Sequence, residues 1–150
     1  MPITDDDIRQ IQEEVAPLIG QRSWAIIVGR NHWLIFNFGE RISYEDEMDE
    51  YGEWRLLIRA SWRLEQQQQV LLGSMDEKEK VTEVIKSLEN LAILSIRILK
   101  PSLYTTIEFE QQYLLHLIPV EIDKNYHWYL GNPDYDAMTV GPGANWSMER

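Results

Sequence analysis

Three arginines, Arg55, Arg59 and Arg63, recur at every fourth position in one stretch of a strongly acidic chain. A guanidinium group offers a planar fork of donors that fits carboxylates and phosphates. On an open strand face the three make a positive line suited to an anion or an acidic peptide. Beside neighbouring acids such as Glu108 they make ordinary cross-strand pairs instead. A second group is aromatic: Trp128, with Tyr126, Tyr129 and Tyr135, falls in the loop-rich C-terminal part, a composition that suits a ligand cleft. A third is the run Glu45-Asp46-Glu47-Met48-Asp49-Glu50. Carboxylates this close repel one another, so the run belongs in an exposed loop, where it would steer a basic protein partner.

Other chemistry has little support. The acidic run lacks the alternating oxygen ligands and central Gly of a calcium loop. His32, His116 and His127 show no metal-ligand spacing and fall in or beside expected strands, which fits structural histidines. The chain carries no Gly-Xaa-Ser-Xaa-Gly elbow, phosphate loop or dinucleotide fingerprint. The paired carboxylates have no apolar surroundings to split their pKa values. No catalytic, cofactor or metal residue is assigned.

The net charge is -11, and it is concentrated. Residues 1–20 carry five acids against Arg9, and residues 40–53 carry seven against Arg41. Such regions repel phosphate backbones, which disfavours nucleic acid as a partner. With no cysteine, disulfides and thiolate metal sites are excluded, and a cytoplasmic setting is expected. The acidic first residues do not read as a signal peptide, and no apolar run reaches membrane-helix length.

The elements that must place these residues follow from periodicity. Residues 53–65 alternate at period two: Trp54, Leu56, Ile58, Ala60, Trp62 and Leu64 share one face, and the arginines share the other. This predicts one long half-buried strand. Thr4-Asp5-Asp6-Asp7 predicts a capped helix closed by Pro17 and Gly20, and Ser74-Met75-Asp76-Glu77 predicts a second, ended by Asn90. Strands are expected at 24–28 and 33–38, a hairpin covered on both faces. Others are expected at 70–72, 92–99, 103–109, 113–118, 126–130 and 137–140. Residues 40–52 are expected as loop and 144–150 as a tail docked through Trp146. A shift of 71 positions lays residues 33–38 on 104–109 and Ala25 and Ile27 on Ile96 and Ile98, which suggests an internal duplication.

The expected fold is therefore α+β: a single domain over 1–150, with a mostly antiparallel sheet of two helix-plus-β-meander units and two helices packed on it. At Gly52-Glu53-Trp54, Ser61-Trp62-Arg63-Leu64, Trp128 and Gly141 the chain resembles small uncharacterised bacterial α+β proteins, from Trp24 onward. That resemblance implies the fold and carries no activity. In general character the chain also resembles immunity proteins of toxin systems. Two functional readings stand. The first is a non-enzymatic protein-interaction module whose Glu45, Asp46, Glu47, Asp49 and Glu50 meet a basic partner. The second is a small-molecule or anion-binding domain, enzymes included, using Arg55, Arg59 and Arg63 or Trp128 and Tyr135. A homodimer paired through strand edges is a further expectation.

Overall fold

A computed structural model describes residues 2–43 and 50–150. Each half of the chain opens with a helix and continues into a three-stranded meander. The first half holds α1 (Asp5–Val15), β1 (Trp24–Val28), β2 (Leu34–Ser43), β3 (Glu50–Ile58), β4 (Ser61–Gln66) and β5 (Gln69–Gly73). The second holds α2 (Lys78–Ile85), β6 (Ile93–Leu99), β7 (Tyr104–Phe109), β8 (Tyr113–Ile118), β9 (Trp128–Gly131), β10 (Ala137–Val140) and β11 (Trp146–Glu149). The fold is α+β, as the periodicities imply. There are two antiparallel sheets rather than one, ordered β1-β2-β3-β9-β10-β11 and β5-β4-β8-β7-β6.

The expected long strand over 53–65 is two strands in different sheets. The chain leaves the first sheet after Ile58, turns at Arg59-Ala60 and enters the second at Ser61. The apolar alternation survives because both sheets face the same core, so Leu56, Ile58, Ala60, Trp62 and Leu64 are all buried. The second half makes the reciprocal crossing from β8 to β9. Thus β4 pairs with β8, and β9 pairs with β3.

The two halves repeat this arrangement in register. Leu34 pairs with Val28 and Ile58, and Thr105 pairs with Ile98 and Leu117. The 71-residue shift holds for β2 and β7. For β1 and β6 it is 70, because the second hairpin turn is one residue longer, so Ile26 and Val28 match Ile96 and Ile98. The repeat extends to the exchanged strands: Trp62 lies opposite Leu117, and Trp128 lies opposite Ile58. Where the halves meet, Arg22 bridges Ala92, its own counterpart at that shift of 70.

The helices are exchanged as well, α1 packing on β6 and α2 on β1. Thr4 caps α1: its hydroxyl accepts from the Asp7 N–H at 3.1 Å, and the Asp7 carboxylate accepts from the Thr4 N–H at 2.8 Å. Pro17 sits in the 3-10 turn that ends the helix, and Gly20 follows at φ +88°. The cap expected at Ser74 does not form. Ser74 Oγ accepts from the Trp62 N–H, Asp76 accepts from the Gly73 N–H, and α2 starts after Glu77 with no side-chain cap. Side chains also occupy two outer-strand amides, Gln12 accepting from Ile98 and Glu89 from Ile26.

Two expectations about the first hairpin change. Residues 40–52 are not a loop throughout: β2 runs to Ser43 and β3 begins at Glu50, a two-stranded ribbon paired past a bulge between Phe38 and Arg41. Nor is β1–β2 covered on both sides, since Ile27 is 48% exposed. At the C-terminus, the expected tail forms β11 against β10, and Trp146 docks on α1 by donating its indole N–H to Asp7 at 3.1 Å.

Candidate functional site

The outer face of the first sheet, away from the core, gathers the chemistry. Its β3 row reads Glu53, Arg55 and Leu57, with Arg59 just past the strand end, because inward positions alternate with these. The β2 row beside it holds Ile35 and Asn37, with Trp33 just before the strand, and the β9 row holds Tyr129 and Gly131. Arg55 lies between Asn37 and Gly131, and the Tyr129 ring lies over Gly131, 3.4 Å from where a Cβ would stand.

A cleft of about 80 Å³ opens there, lined by Arg55, Tyr51, Glu53, Tyr129, Asn132, Tyr135 and Asp136. At roughly 10–15 Å³ for each water-sized position, it holds about half a dozen such positions. The Arg55 guanidinium lies 5.0 Å over the Tyr51 ring and forms no ion pair among the described residues. Tyr135 stands 76% exposed at the rim, with φ +63°. Asn132 Oδ1 accepts from the amides of Asp134 and Asp136 at 2.9 and 3.0 Å, which shapes the β9–β10 turn that forms one wall. The Asp136 carboxylate is engaged by Asn132 and by Arg150 at 3.4 Å.

Just past the end of β3, Arg59 is stacked between Trp33 and Tyr126, 4.3 Å from each ring centre. Burial raises the Tyr126 phenol above its usual pKa, against the opposing pull of Arg59. The His127 carbonyl accepts from the amides of both Arg59 and Ala60 at 2.9 Å, which fixes the Tyr126 segment against β3. His127 itself is buried, and its Nε2 lies 3.0 Å from the Gly143 carbonyl, so that nitrogen carries the proton.

On the matching outer face of the second sheet the arginine has a carboxylate partner. Arg63 pairs with Glu65 of its own strand at 2.8 Å, not with Glu108, whose carboxylate accepts from Ser95. Glu65 lies 3.2 Å from His116 Nε2, outside hydrogen-bond geometry, and His116 Nδ1 lies 2.8 Å from the Tyr104 hydroxyl. Burial pushes the Glu65 carboxyl up, but His116 and Arg63 together outweigh it and hold it below its usual range. Burial raises the Tyr104 phenol.

The expected site residues therefore separate. Arg55 and Tyr135 meet in the cleft, and Arg59 shares their face. Arg63 belongs to the other sheet, because the chain crosses between them. Trp128 is no cleft residue: it is 1% exposed in the core and donates its indole N–H to Thr105 at 3.1 Å. Glu50 begins β3 and pairs with Arg41 at 3.3 Å. Glu45, Asp46, Glu47 and Asp49 lie outside the described residues. Sequence reasoning missed Tyr51, Asn132 and Gly131 as cleft residues. The signal available was Gly131-Asn132-Pro133-Asp134, which marks a turn without saying which strand faces it.

Among the described residues, no group of three or more His, Asp or Glu side chains is placed to hold a metal ion, and no helix is long and apolar enough to cross a membrane. The chain matches no protein-family model, no curated protein and no solved structure.

Proposed function

We propose that the protein is a small-molecule-binding domain whose cleft at Arg55 receives an anionic ligand. One observation carries this reading: a guanidinium stacked on a tyrosine, without a carboxylate partner among the described residues, lines a cleft walled by Tyr129 and Tyr135. The guanidinium supplies charge and hydrogen-bond donors, so the role of Arg55 itself is binding rather than proton transfer. Tyrosine faces favour a planar ligand body, and the guanidinium fork favours its carboxylate or phosphate. Benzoate and inorganic phosphate, titrated into labelled protein, test it. Saturable shifts at the Gly131 and Asn132 amides are expected, weakened at least tenfold by Arg55→Gln. If neither anion moves those amides in the unaltered protein, the reading fails.

A second reading keeps the acidic ribbon as the contact for a basic protein partner, in the manner of an immunity protein. What supports it is position: of the acids in residues 40–53, Glu40 on β2 and Glu50 on β3 are both exposed. Capture of a basic partner should weaken with salt and be lost when Glu45, Asp46, Glu47, Asp49 and Glu50 become Ser or Asn. Undiminished capture by that variant removes this reading. A cytoplasmic, bacterial setting accords with the absence of cysteine and the small bacterial proteins the sequence resembles. Homodimer pairing has β5 and β11 as its outer strands, since side chains take amides on β1 and β6; sedimentation at two concentrations tests it.

A further inference from the structure

The two faces of the Arg59 guanidinium are filled, and only its Nη end is open. Trp33 and Tyr126 lie above and below it, each 4.3 Å away. Aromatic faces attract the cation but accept none of its five N–H donors, which lie in the guanidinium plane. Among the described residues, Arg59 Nε is buried without a hydrogen-bond partner and no carboxylate pairs with the group. The residue as a whole is only partly buried, so the Nη end is the part that meets solvent. It is one of three such buried nitrogens among the described residues, with His32 Nε2 and His116 Nε2, and it alone belongs to a permanent cation, for which an oxyanion is the natural acceptor.

The surroundings are specific to this half of the molecule. Pairing places Ile118 at the equivalent position of the second sheet, so the repeat does not require an arginine here. The link from β3 to β4 is Arg59-Ala60 alone, whereas residues 119–127 join β8 to β9. That longer link supplies Tyr126, and the two bonds from Arg59 and Ala60 to the His127 carbonyl hold its ring in place.

We propose that Arg59 is an oxyanion subsite, distinct from the Arg55 cleft. A carboxylate or phosphate enters in the guanidinium plane, edge-on between the Trp33 and Tyr126 rings, and accepts parallel N–H bonds from the fork. The rings block approach from above or below, so only planar, bidentate recognition remains. Arg55 is four residues away on the same face, roughly 13 Å along the strand, too far for one small oxyanion to touch both.

The test follows the Arg59 Nε–Hε resonance of the full-length protein, assigned by its loss in Arg59→Lys. Acetate and inorganic phosphate are titrated separately, with chloride at matched ionic strength as the control. A saturable shift with acetate, phosphate or both, absent with chloride, is expected, and the stronger arm identifies the anion chemistry. The shift should survive Arg55→Gln, and indole or amide shifts at Trp33 under the same titration should be at least tenfold weaker in Arg59→Lys. A resonance that stays still, or that follows chloride equally, overturns the proposal and leaves water as the missing acceptor. The unaltered protein decides this even where Arg59→Lys fails to fold. The Gly131 and Asn132 amides report the Arg55 cleft independently, so either site can fail alone.

Discussion

His127 is a residue whose burial has a readable consequence. Desolvation lowers its pKa below the usual histidine value, although the Gly143 carbonyl and Glu121 both oppose that shift. A histidine neutral in the fold gains most where the unfolded chain would also be neutral. Its contribution is complete above the unfolded pKa of about 6.5 and is lost as pH falls toward the lowered folded value. Urea unfolding between pH 7 and 5 should therefore show falling stability, with the slope reduced in His127→Gln. An unchanged slope would show that other groups set it. At this scale the sequence disclosed residue types but not pairings. Arg55, Arg59 and Arg63 look alike in the chain, yet one lines a cleft, one is stacked between rings and one pairs with Glu65. The difference comes from which sheet each occupies and from neighbours distant in sequence, such as Tyr126. Trp128 was misplaced for the converse reason: its loop-rich, tyrosine-rich neighbourhood hides an inward strand position.

Elements were legible wherever one face is buried. Strands β6 to β8 and β10, and helix α1 with its cap, fall where alternation and capping residues put them. Two failures share a physical cause. The ribbon of β2 and β3 beyond the bulge is exposed at Glu40, Arg41, Ser43 and Glu50, so no alternation marks it as strand. The crossing at Arg59-Ala60 is hidden because strands on either side present apolar side chains to one core. Among the helices, Ser74 and Asp76 are claimed by β4 and β5 backbone amides, which leaves α2 uncapped. Thr4→Ala should cost roughly 1 kcal/mol by removing an N-cap. Glu77→Asp should raise stability by roughly 0.5–1 kcal/mol by supplying one. Urea midpoints measure both, and an unmoved midpoint for Glu77→Asp would mean that its side chain does not reach the helix amides.

At the scale of the whole molecule, each half completes the other's sheet. Residues 1–75 contain β3 without β9 and β4 without β8, and residues 76–150 have the reciprocal deficit. Each fragment exposes a long apolar sheet edge and half of one shared core that includes Phe36 stacked 6.0 Å from Phe109. Expressed separately, neither fragment should unfold cooperatively. Mixed, they should recover the circular dichroism of the intact chain and elute as a 1:1 complex. A cooperative transition in either fragment alone would contradict this. The repeat was visible in the sequence as the echo between residues 33–38 and 104–109, but the exchange was not, because pairing between β4 and β8 leaves no local pattern.

That reciprocal bracing governs how the molecule breathes. One sheet cannot open at its centre without dragging apart strands that anchor the other. Backbone amides in β3, β4, β8 and β9 should therefore trade hydrogen for deuterium only through complete unfolding, at a common free energy. Amides of the rim strands β5 and β11 should escape earlier, through local fraying. A protection map with two distinct central plateaus, one for each sheet, would mean that the layers open separately.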